Sequence, residues 1–313
     1  MATQTSKRLE GRVAIVTGAG RGIGRAEALL LAKEGAAVVV NDLGGGMTGS
    51  GSDASVASNV VEEIRALGGR AAASSDDVSS MEGAARIVAV ATKAFDRIDV
   101  LVNNAGIVRS RVIYNMSESD WDDVIAVHMK GTFAMTRAAA PIFREQRSGV
   151  IVNTSSESGL GHYGQASYSA AKEGIVGFTR TVARDLGRFN VRCNAIRPRA
   201  QTRLLNQDVV EAIERTRQTI GEKGAPRLGD PARSRPEDVA ALVVWLCTDA
   251  AANVNGRTFL VGGEVVGLYP EPVPERAIQR DGGWDIDALD RIVPNELTDG
   301  LRNEFIGKPQ EES

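Results

Sequence analysis

A tyrosine and a lysine in the sequence Y-S-A-A-K have the spacing needed for acid–base chemistry on an alcohol. Tyr168 and Lys172 are four residues apart, so on a helix they lie on the same face. An ammonium group beside a phenol stabilises the phenolate. We therefore expect Lys172 to lower the pKa of Tyr168 from its usual value of about 10. The phenolate can then take the proton of an alcohol.

A glycine-rich segment, T-G-A-G-R-G-I-G at residues 17–24, could hold the acceptor of the hydride that such an alcohol loses. It follows a predicted buried strand and opens a predicted helix, which is the setting of a dinucleotide-binding loop. Its glycines let the backbone turn tightly and approach a pyrophosphate. The candidate cofactor contacts in this segment are Gly18, Gly20, Arg21, Gly22, Ile23 and Gly24.

A carboxylate at the end of the second predicted strand bears on which dinucleotide binds. Asp42 lies eighteen residues after Gly24, where an acid accepts hydrogen bonds from the adenosine ribose hydroxyls. Because a carboxylate repels a 2′-phosphate, the sequence favours NAD over NADP. Arg21 is the opposing signal, since a cation in the loop can bind that phosphate, so NADP stays possible.

Strand-like and helix-like patterns alternate from residue 12 to residue 263. Short apolar runs separated by helical segments indicate parallel pairing with right-handed crossovers. We therefore predict an α/β protein with a doubly wound parallel sheet of the Rossmann type, about seven strands wide and covered on both faces. Pro141 is expected to bend or end the long helix predicted over residues 120–144.

Two segments interrupt this alternation. Residues 199–235 connect a strand to a helix and are long enough for a functional lid. Residues 269–313 follow the last predicted strand and begin with several prolines. We expect a catalytic domain over residues 1–268 and a C-terminal extension over 269–313 that packs on the core or on a partner subunit. The alternative for the extension is a partly disordered tail.

Composition argues against several classes of partner. A net charge of −3 gives no bulk attraction to nucleic acid or to an anionic membrane. No apolar run approaches the length of a membrane span, and the N-terminus lacks an apolar signal core, so we expect a cytoplasmic protein. The two cysteines and two histidines form no ligand cluster, and no metal site is expected.

Several motifs occur together in one order, and with them the chain over about residues 8–268 resembles the short-chain dehydrogenase/reductase family. The motifs are the glycine-rich loop, Asp77-Val78, N-N-A-G at 103–106, Ser156 and Y-S-A-A-K. The resemblance implies that Ser156 holds the substrate oxygen, Tyr168 is the acid/base, and Lys172 binds the nicotinamide ribose while tuning the tyrosine. It also implies cofactor contacts by Asp77, Val78, Asn103, Ala105, Gly106, Tyr168, Lys172 and Thr202.

The chain departs from the usual family pattern at four places. Ser155 has the usual spacing to the tyrosine, but aligning T-S-S favours Ser156, so Ser155 is the alternative. His128 replaces the asparagine that usually holds a proton-relay water, and a histidine can also hold water or pass protons. A packing role is its alternative. Where the family usually has P-G, this chain has Pro198-Arg199. Thr202 follows that proline by four residues instead of the usual five.

The segments V-V-V-N-D-L-G-G, V-H-M-K-G-T-F and G-Q-A-S-Y-S-A-A-K are similar to the dehydrogenase unit of peroxisomal type 2 multifunctional enzymes and to related bacterial steroid-catabolic enzymes. This resemblance implies an apolar secondary alcohol as substrate, either a (3R)-3-hydroxyacyl-CoA or a 17β-hydroxysteroid. Arginines follow the predicted strands that end at 106 and 196, and they could bind the phosphates of CoA. An equal alternative is that they form salt bridges or are plain surface charges. The candidate substrate arginines are Arg109, Arg111, Arg199 and Arg203, with Arg197 beside them.

Two further functions remain open from the sequence. The same residues could reduce small apolar ketones such as terpenoids. A silent NAD-binding regulator on this fold is the other alternative, although such proteins often lose the Tyr or Lys that this chain keeps. Members of the family usually pair through their long helices, so we expect a homodimer or homotetramer.

Overall fold

The computed structural model describes residues 7–202 and 234–302, and eight strands form its single sheet. The strands are β1 (Val13–Thr17), β2 (Ala37–Asn41), β3 (Arg70–Ser74), β4 (Val100–Asn103), β5 (Gly149–Thr154), β6 (Val191–Pro198), β7 (Thr258–Gly262) and β8 (Val265–Leu268). Their order across the sheet is β3-β2-β1-β4-β5-β6-β7-β8. Strands β1 to β7 run parallel, and β8 pairs antiparallel with β7.

Helices lie between the parallel strands, and one further described helix follows β8. They are α1 (Gly22–Lys33), α2 (Ser55–Ala66), α3 (Met81–Phe95), α4 (Glu118–Ile125), α5 (Gly131–Gln146), α6 (Ala166–Gly187), α7 (Pro236–Leu246) and α8 (Ile286–Glu296). A π-helical turn, Ala126–Lys130, joins α4 to α5 without a break. The predicted doubly wound sheet of the Rossmann type is confirmed.

Both faces of the sheet are covered, and β1 shows how. Side chains alternate along a strand, so Ala14 and Val16 enter one buried cluster with residues of α1, α2 and α7. Val13 and Ile15 enter a second cluster, with residues of α3, α5 and α6. Because neither face of β1 meets water, its residues from Val13 to Val16 are all apolar. The carboxyl ends of all the parallel strands then meet at one edge of the sheet, where the predicted site residues lie.

Two details differ from the sequence prediction. Pro141 does not end the helix, since α5 continues past it to Gln146; of the two expected effects, a bend or an end, the end is wrong. Proline has no backbone N–H, so the helix lacks one hydrogen bond at Pro141. Ala139 and Phe143 on either side are fully buried and keep this stretch packed against the sheet. The eighth strand was not predicted. It is reached through a two-residue turn at Gly263, which has φ +55°, a conformation typical of hairpin turns.

The chain forms two compact units. The larger includes residues 7–202 and 234–269 and carries the whole sheet. The smaller includes residues 270–302, where Asp285 caps α8 by accepting a hydrogen bond from the amide of Ala288 at 2.7 Å. Most of the segment predicted to be a lid, residues 203–233, lies outside the described residues. In the described ranges no helix is long and apolar enough to cross a membrane, and no three His, Cys, Asp or Glu side chains are grouped for a metal ion.

Candidate active site

The glycine-rich loop lies between β1 and α1 and is packed so closely that side chains would not fit. A Cβ added at Gly18 would lie 2.7 Å from Cα of Ala105, and φ there is +63°. A Cβ at Gly24 would lie 2.4 Å from the carbonyl oxygen of Gly18. A close-packed backbone turn, the glycine cradle, is therefore present at the N-terminus of α1, and such a helix N-terminus is a place where a dinucleotide pyrophosphate can bind. Thr202 lies over this cradle, with Cγ2 3.4 Å from a Cβ built at Gly22.

Asp42 also holds the glycine-rich loop, through hydrogen bonds to its backbone. Its carboxylate accepts hydrogen bonds from the amides of Gly20 at 2.8 Å and of Gly44 at 2.7 Å. The side chain therefore fixes the turn after β1 as well as the start of the loop after β2, a second role that the sequence did not reveal. Arg21 is exposed, and its side chain donates to the carbonyl oxygen of Gly45 at 3.5 Å.

The N-N-A-G segment is tied to the glycine loop through Thr17. The Thr17 hydroxyl accepts hydrogen bonds from the amides of Asn104 and Ala105, both at 3.1 Å. The Asn104 side chain donates to the carbonyl oxygens of Thr17 and Gly18, also at 3.1 Å. Thr17 and Asn104 were not among the predicted residues. Their signal was present, because Thr17 opens the glycine-rich segment and Asn104 lies in N-N-A-G, both at the carboxyl end of a strand.

Asn103 starts a buried polar chain beneath the site. Its side-chain amide donates to Oδ1 of Asn153 at 2.9 Å, and the amide of Asn153 donates to the hydroxyl of Thr179 at 2.9 Å. This chain links β4, β5 and α6. Asp77 accepts both the amide and the hydroxyl of Ser79, at 2.8 and 2.7 Å, and so shapes the turn before α3. Val78, beside it, packs against Gly131.

Tyr168 and Lys172 share one face of α6, as their spacing predicts. The Lys172 ammonium lies 5.5 Å from the centre of the Tyr168 ring and donates to the carbonyl oxygen of Thr154 at 2.6 Å. Burial lowers the pKa of Lys172 to about 7. Burial also raises the pKa of Tyr168 to about 12, opposed by a hydrogen bond with Ser156. The direction of the Tyr168 pKa shift is opposite to the expectation, because the loss of solvation on burial is its largest cause.

The two candidate serines have different environments. Ser155 is buried, and its hydroxyl donates to the carbonyl oxygen of Lys172 at 2.7 Å. Ser156 is half-buried, hydrogen bonds to Tyr168, and accepts a hydrogen bond from the amide of Ser158 at 3.1 Å. Only the Ser156 hydroxyl lies beside the tyrosine, so the geometry supports Ser156 as the residue that holds a substrate oxygen.

Replacing each serine by alanine should separate these roles. Ser156→Ala is expected to lower kcat about 100-fold, since it removes a donor beside the reacting oxygen. Ser155→Ala is expected to keep kcat within about threefold and to lower the free energy of unfolding by about 1 kcal/mol, because it removes one buried hydrogen bond. Steady-state kinetics and urea unfolding measure the two effects. The opposite ranking of kcat would assign the role to Ser155.

His128 packs directly against the tyrosine. Its ring makes an edge contact with the Tyr168 ring, with centres 5.1 Å apart, and it lies in the π-helical turn. Nε2 meets the backbone of Ile107, 2.8 Å from its carbonyl oxygen and 3.2 Å from its amide. Nδ1 is buried and has no hydrogen-bond partner among the described residues. Burial, with the Lys172 charge as a smaller cause, lowers the pKa of His128 well below its usual value, so the ring is neutral at pH 7.

The candidate substrate arginines are mostly engaged in ion pairs. Arg109 pairs with Asp123 at 2.6 Å and donates to the carbonyl oxygen of Thr48 at 3.1 Å. Arg199 pairs with Glu157. These two side chains therefore match the salt-bridge alternative. Arg111 is exposed and donates to the carbonyl oxygen of Ser110 at 3.0 Å. Arg203 lies outside the described residues.

Comparison with known proteins gives consistent matches. The family model described as short chain dehydrogenase matches residues 12–212. The chain is 41% identical to hydroxyacyl-CoA dehydrogenase ChsB1 of Mycobacterium tuberculosis, over 99% of this chain and 94% of that protein. It is 44% identical to the peroxisomal multifunctional enzyme type 2 of Mus musculus, over 83% of this chain but 33% of that longer enzyme.

Solved structures agree with this result. A short chain dehydrogenase from Mycobacterium avium is 42% identical and superposes with a TM-score of 0.78, covering 93% of this chain and 96% of that one. A short chain dehydrogenase from Mycobacterium paratuberculosis, solved bound to NAD, is 30% identical with a TM-score of 0.75, covering 81% and 97% of the two chains.

Proposed function

The chain belongs to the short-chain dehydrogenase family, and from that premise we propose that it oxidises a (3R)-3-hydroxyacyl-CoA with NAD. The family membership makes it an oxidoreductase that acts on CH–OH groups. The observation that carries the proposal is the meeting of Ser156, Tyr168 and Lys172 at the edge of the sheet where the glycine cradle also lies. The 41% identical hydroxyacyl-CoA dehydrogenase supports the substrate class.

The residues around the cradle fit a nicotinamide dinucleotide, because the backbone at Gly18 and Gly24 leaves no space for side chains and Asp42 flanks the loop. Such a cofactor would accept the hydride from the carbinol carbon. We propose that the protein holds it through residues of six segments. These residues are Gly18, Gly20, Arg21, Gly22, Ile23, Gly24, Asp42, Asp77, Val78, Asn103, Ala105, Gly106, Tyr168, Lys172 and Thr202.

Proton transfer is the task of the chain's own side chains. The hydroxyls of Ser156 and Tyr168 would hold the alcohol oxygen between them, and Tyr168 would take its proton. With a pKa of about 12, Tyr168 is a phenol at neutral pH when considered alone. Phenolate forms more readily if Lys172 is protonated at the same time, since opposite charges stabilise each other strongly in a buried site.

His128 is the side chain we propose to continue the proton path. Nε2 is held by the backbone of Ile107, which leaves Nδ1 to meet water or a neighbouring donor. A neutral imidazole can accept a proton at one nitrogen while the other stays hydrogen bonded. The Lys172 ammonium and the Tyr168 ring are the groups next to it. His128 would therefore act beside Tyr168 and Lys172 without contacting the alcohol.

Preference for NAD over NADP follows from the charge of Asp42. A 2′-phosphate beside this carboxylate is repelled, and we expect wild-type protein to bind NADPH about 10- to 100-fold more weakly than NADH. Asp42→Asn removes the charge and keeps one of the two oxygens that accept the amides of Gly20 and Gly44, so it should narrow the ratio of the NADPH and NADH dissociation constants. Fluorescence titration with both reduced cofactors measures it. Equal affinity of the wild type for both would overturn the preference.

The substrate is tested by following NADH absorbance with three alcohols side by side. These are a (3R)-3-hydroxyacyl-CoA, the same hydroxy acid without CoA, and a 17β-hydroxysteroid. Strong activity with the thioester that is lost without CoA is the expected result. Arg111→Gln should then raise KM for the thioester, because Arg111 is the exposed arginine that we propose to contact CoA phosphates. Activity with the steroid alone would reject the hydroxyacyl-CoA proposal.

Assembly, domain roles and location in the cell complete the proposal. We propose a homodimer or homotetramer that pairs through residues 118–146 and 166–187, where Trp121 and Phe133 are exposed. Residues 1–268 would be the catalytic domain, and residues 269–313 an extension that packs on the core or on a partner subunit. Light scattering of full-length protein and of a 1–268 truncation tests both points. Cell fractionation tests the proposed cytoplasmic location.

A further inference from the structure

We propose that Arg197 is a positioning residue that fixes Ser156 relative to the helix bearing Tyr168 and Lys172. The inference rests on the proposed function only through the role of Ser156. Arg197 lies near the carboxyl end of β6, and its side chain is 3% exposed. A guanidinium this deeply buried needs strong partners, because burial without them is very costly.

Its two terminal nitrogens have partners on different elements. Nη1 donates to the carbonyl oxygen of Ser156 at 2.8 Å, and Nη2 donates to Oε2 of Glu173 at 2.7 Å. Glu173 directly follows Lys172 on α6. One planar guanidinium therefore joins the serine segment to the helix that carries the acid/base pair. A lysine in this place has a single nitrogen and could not span both partners in the same way.

The turn after Ser156 is seated on this ion pair. A Cβ added at Gly159 would lie 3.1 Å from Nη1 of Arg197 and 2.9 Å from Oε2 of Glu173. The amide of Gly159 also donates to the carbonyl oxygen of Ser156 at 3.1 Å. Glycine at this position lets the single turn Glu157–Leu160 approach the pair closely. The backbone of Ser156 is thus held by the side chain of Arg197 and by its own turn.

A tyrosine at the end of β8 covers the arginine from outside. The Arg197 guanidinium lies over the Tyr269 ring, 4.9 Å from its centre. The Tyr269 hydroxyl donates to Oε1 of Glu157 at 3.4 Å, and Glu157 is also paired with Arg199. Glu157, which follows Ser156, is therefore held by Tyr269 and Arg199 and does not depend on Arg197 alone. Loss of Arg197 should loosen the serine without releasing the whole segment.

The test variant is Arg197→Met, which keeps much of the side-chain volume and removes the charge. Its partner Glu173 is 44% exposed and can be solvated, so no buried charge is stranded. We expect kcat for the hydroxyacyl-CoA to fall about 10- to 100-fold, as for a small misplacement of a reacting group. KM and the NADH dissociation constant should stay within about threefold. Arg197→Lys should recover part of kcat.

Arg192→Met is the matched control, since Arg192 lies on the same strand at its opposite end. It is partly buried and donates to the carbonyl oxygen of Thr248 at 3.1 Å. This variant should lower the melting temperature without changing kcat in the folded protein. Equal losses of kcat in Arg192→Met and Arg197→Met would show a general effect on folding and overturn the positioning role.

Hydrogen exchange gives a readout that needs no activity. Arg197→Met should speed exchange of the Ser158 and Gly159 amides, which donate to Ser156, about tenfold or more, while Arg192→Met leaves these amides unchanged. Unchanged exchange in Arg197→Met would overturn the anchoring. An inactive wild type would reject the proposed function, and exchange alone would then decide the anchoring. Faster exchange with unchanged kcat in an active enzyme would show that Arg197 holds the segment but does not position Ser156 for catalysis.

Discussion

Tyr168→Phe is expected to lower kcat about 1,000-fold while the affinity for NADH stays within about twofold. The variant removes only the hydroxyl that would exchange a proton with the alcohol, and such proton transfer contributes about 100- to 10,000-fold to a rate. The ring itself remains to pack against His128, with centres 5.1 Å apart. A loss in kcat without a loss in cofactor binding identifies an interaction that acts on the reacting atoms.

The measurement combines steady-state kinetics with fluorescence titration of NADH. Tyr114→Phe is the matched control, because Tyr114 is 81% exposed and loses the same single hydroxyl. Its kcat should equal that of the wild type. Wild-type turnover in Tyr168→Phe would reject the mechanism, and loss of NADH binding in that variant would show that the substitution disturbs the cradle instead.

The order of motifs along the chain was enough to predict the fold and the edge of the sheet where the site lies. A parallel sheet collects the carboxyl ends of its strands at one edge, so Gly18, Asn103 and Ser156 could be placed there without coordinates. The short strand β8 escaped prediction because it has four residues, one of them Gly267, and little periodicity to detect. Its signal lay in the turn at Gly263.

Side-chain partners could not be predicted in the same way. Arg109 and Asp123 are separated by a loop and most of α4, and nothing in their spacing indicates that they form an ion pair at 2.6 Å. The acid–base pair shows a related limit. Spacing placed Lys172 beside Tyr168, but the direction of their pKa values depends on how deeply both are buried. Burial is a property of the packed protein, set by every element around the pair.

Glu27 is the group for which we expect the largest effect on stability. It lies on α1, which packs against α7, and its side chain is fully buried. Neither carboxylate oxygen has a hydrogen-bond partner among the described residues. Burial raises the pKa of Glu27 from 4.5 to about 8, so the folded protein keeps this carboxyl protonated at neutral pH. The facing titratable group is Cys247, whose pKa is raised mainly by burial and slightly by Glu27.

The sign of the pH dependence follows from comparing the folded and unfolded states. Below about pH 4.5 both states carry a neutral Glu27, and its ionisation does not affect stability. As pH rises from there to about 8, the unfolded chain loses the proton while the folded protein keeps it. The free energy of unfolding therefore falls with pH, by up to about 5 kcal/mol for a fully buried group.

Glu27→Gln isolates the part of the free energy of unfolding that depends on the Glu27 proton, because glutamine has nearly the same volume and does not ionise. The variant should resemble the wild type in stability near pH 5 and exceed it increasingly toward pH 8, by about 3 kcal/mol or more at pH 7.5. Glu27→Met should add a gain at every pH, since it also removes a buried polar group that lacks a partner. Urea unfolding between pH 5 and 8 measures all three proteins. Parallel stability curves for wild type and Glu27→Gln would show that Glu27 ionises as freely in the folded protein as in the unfolded chain.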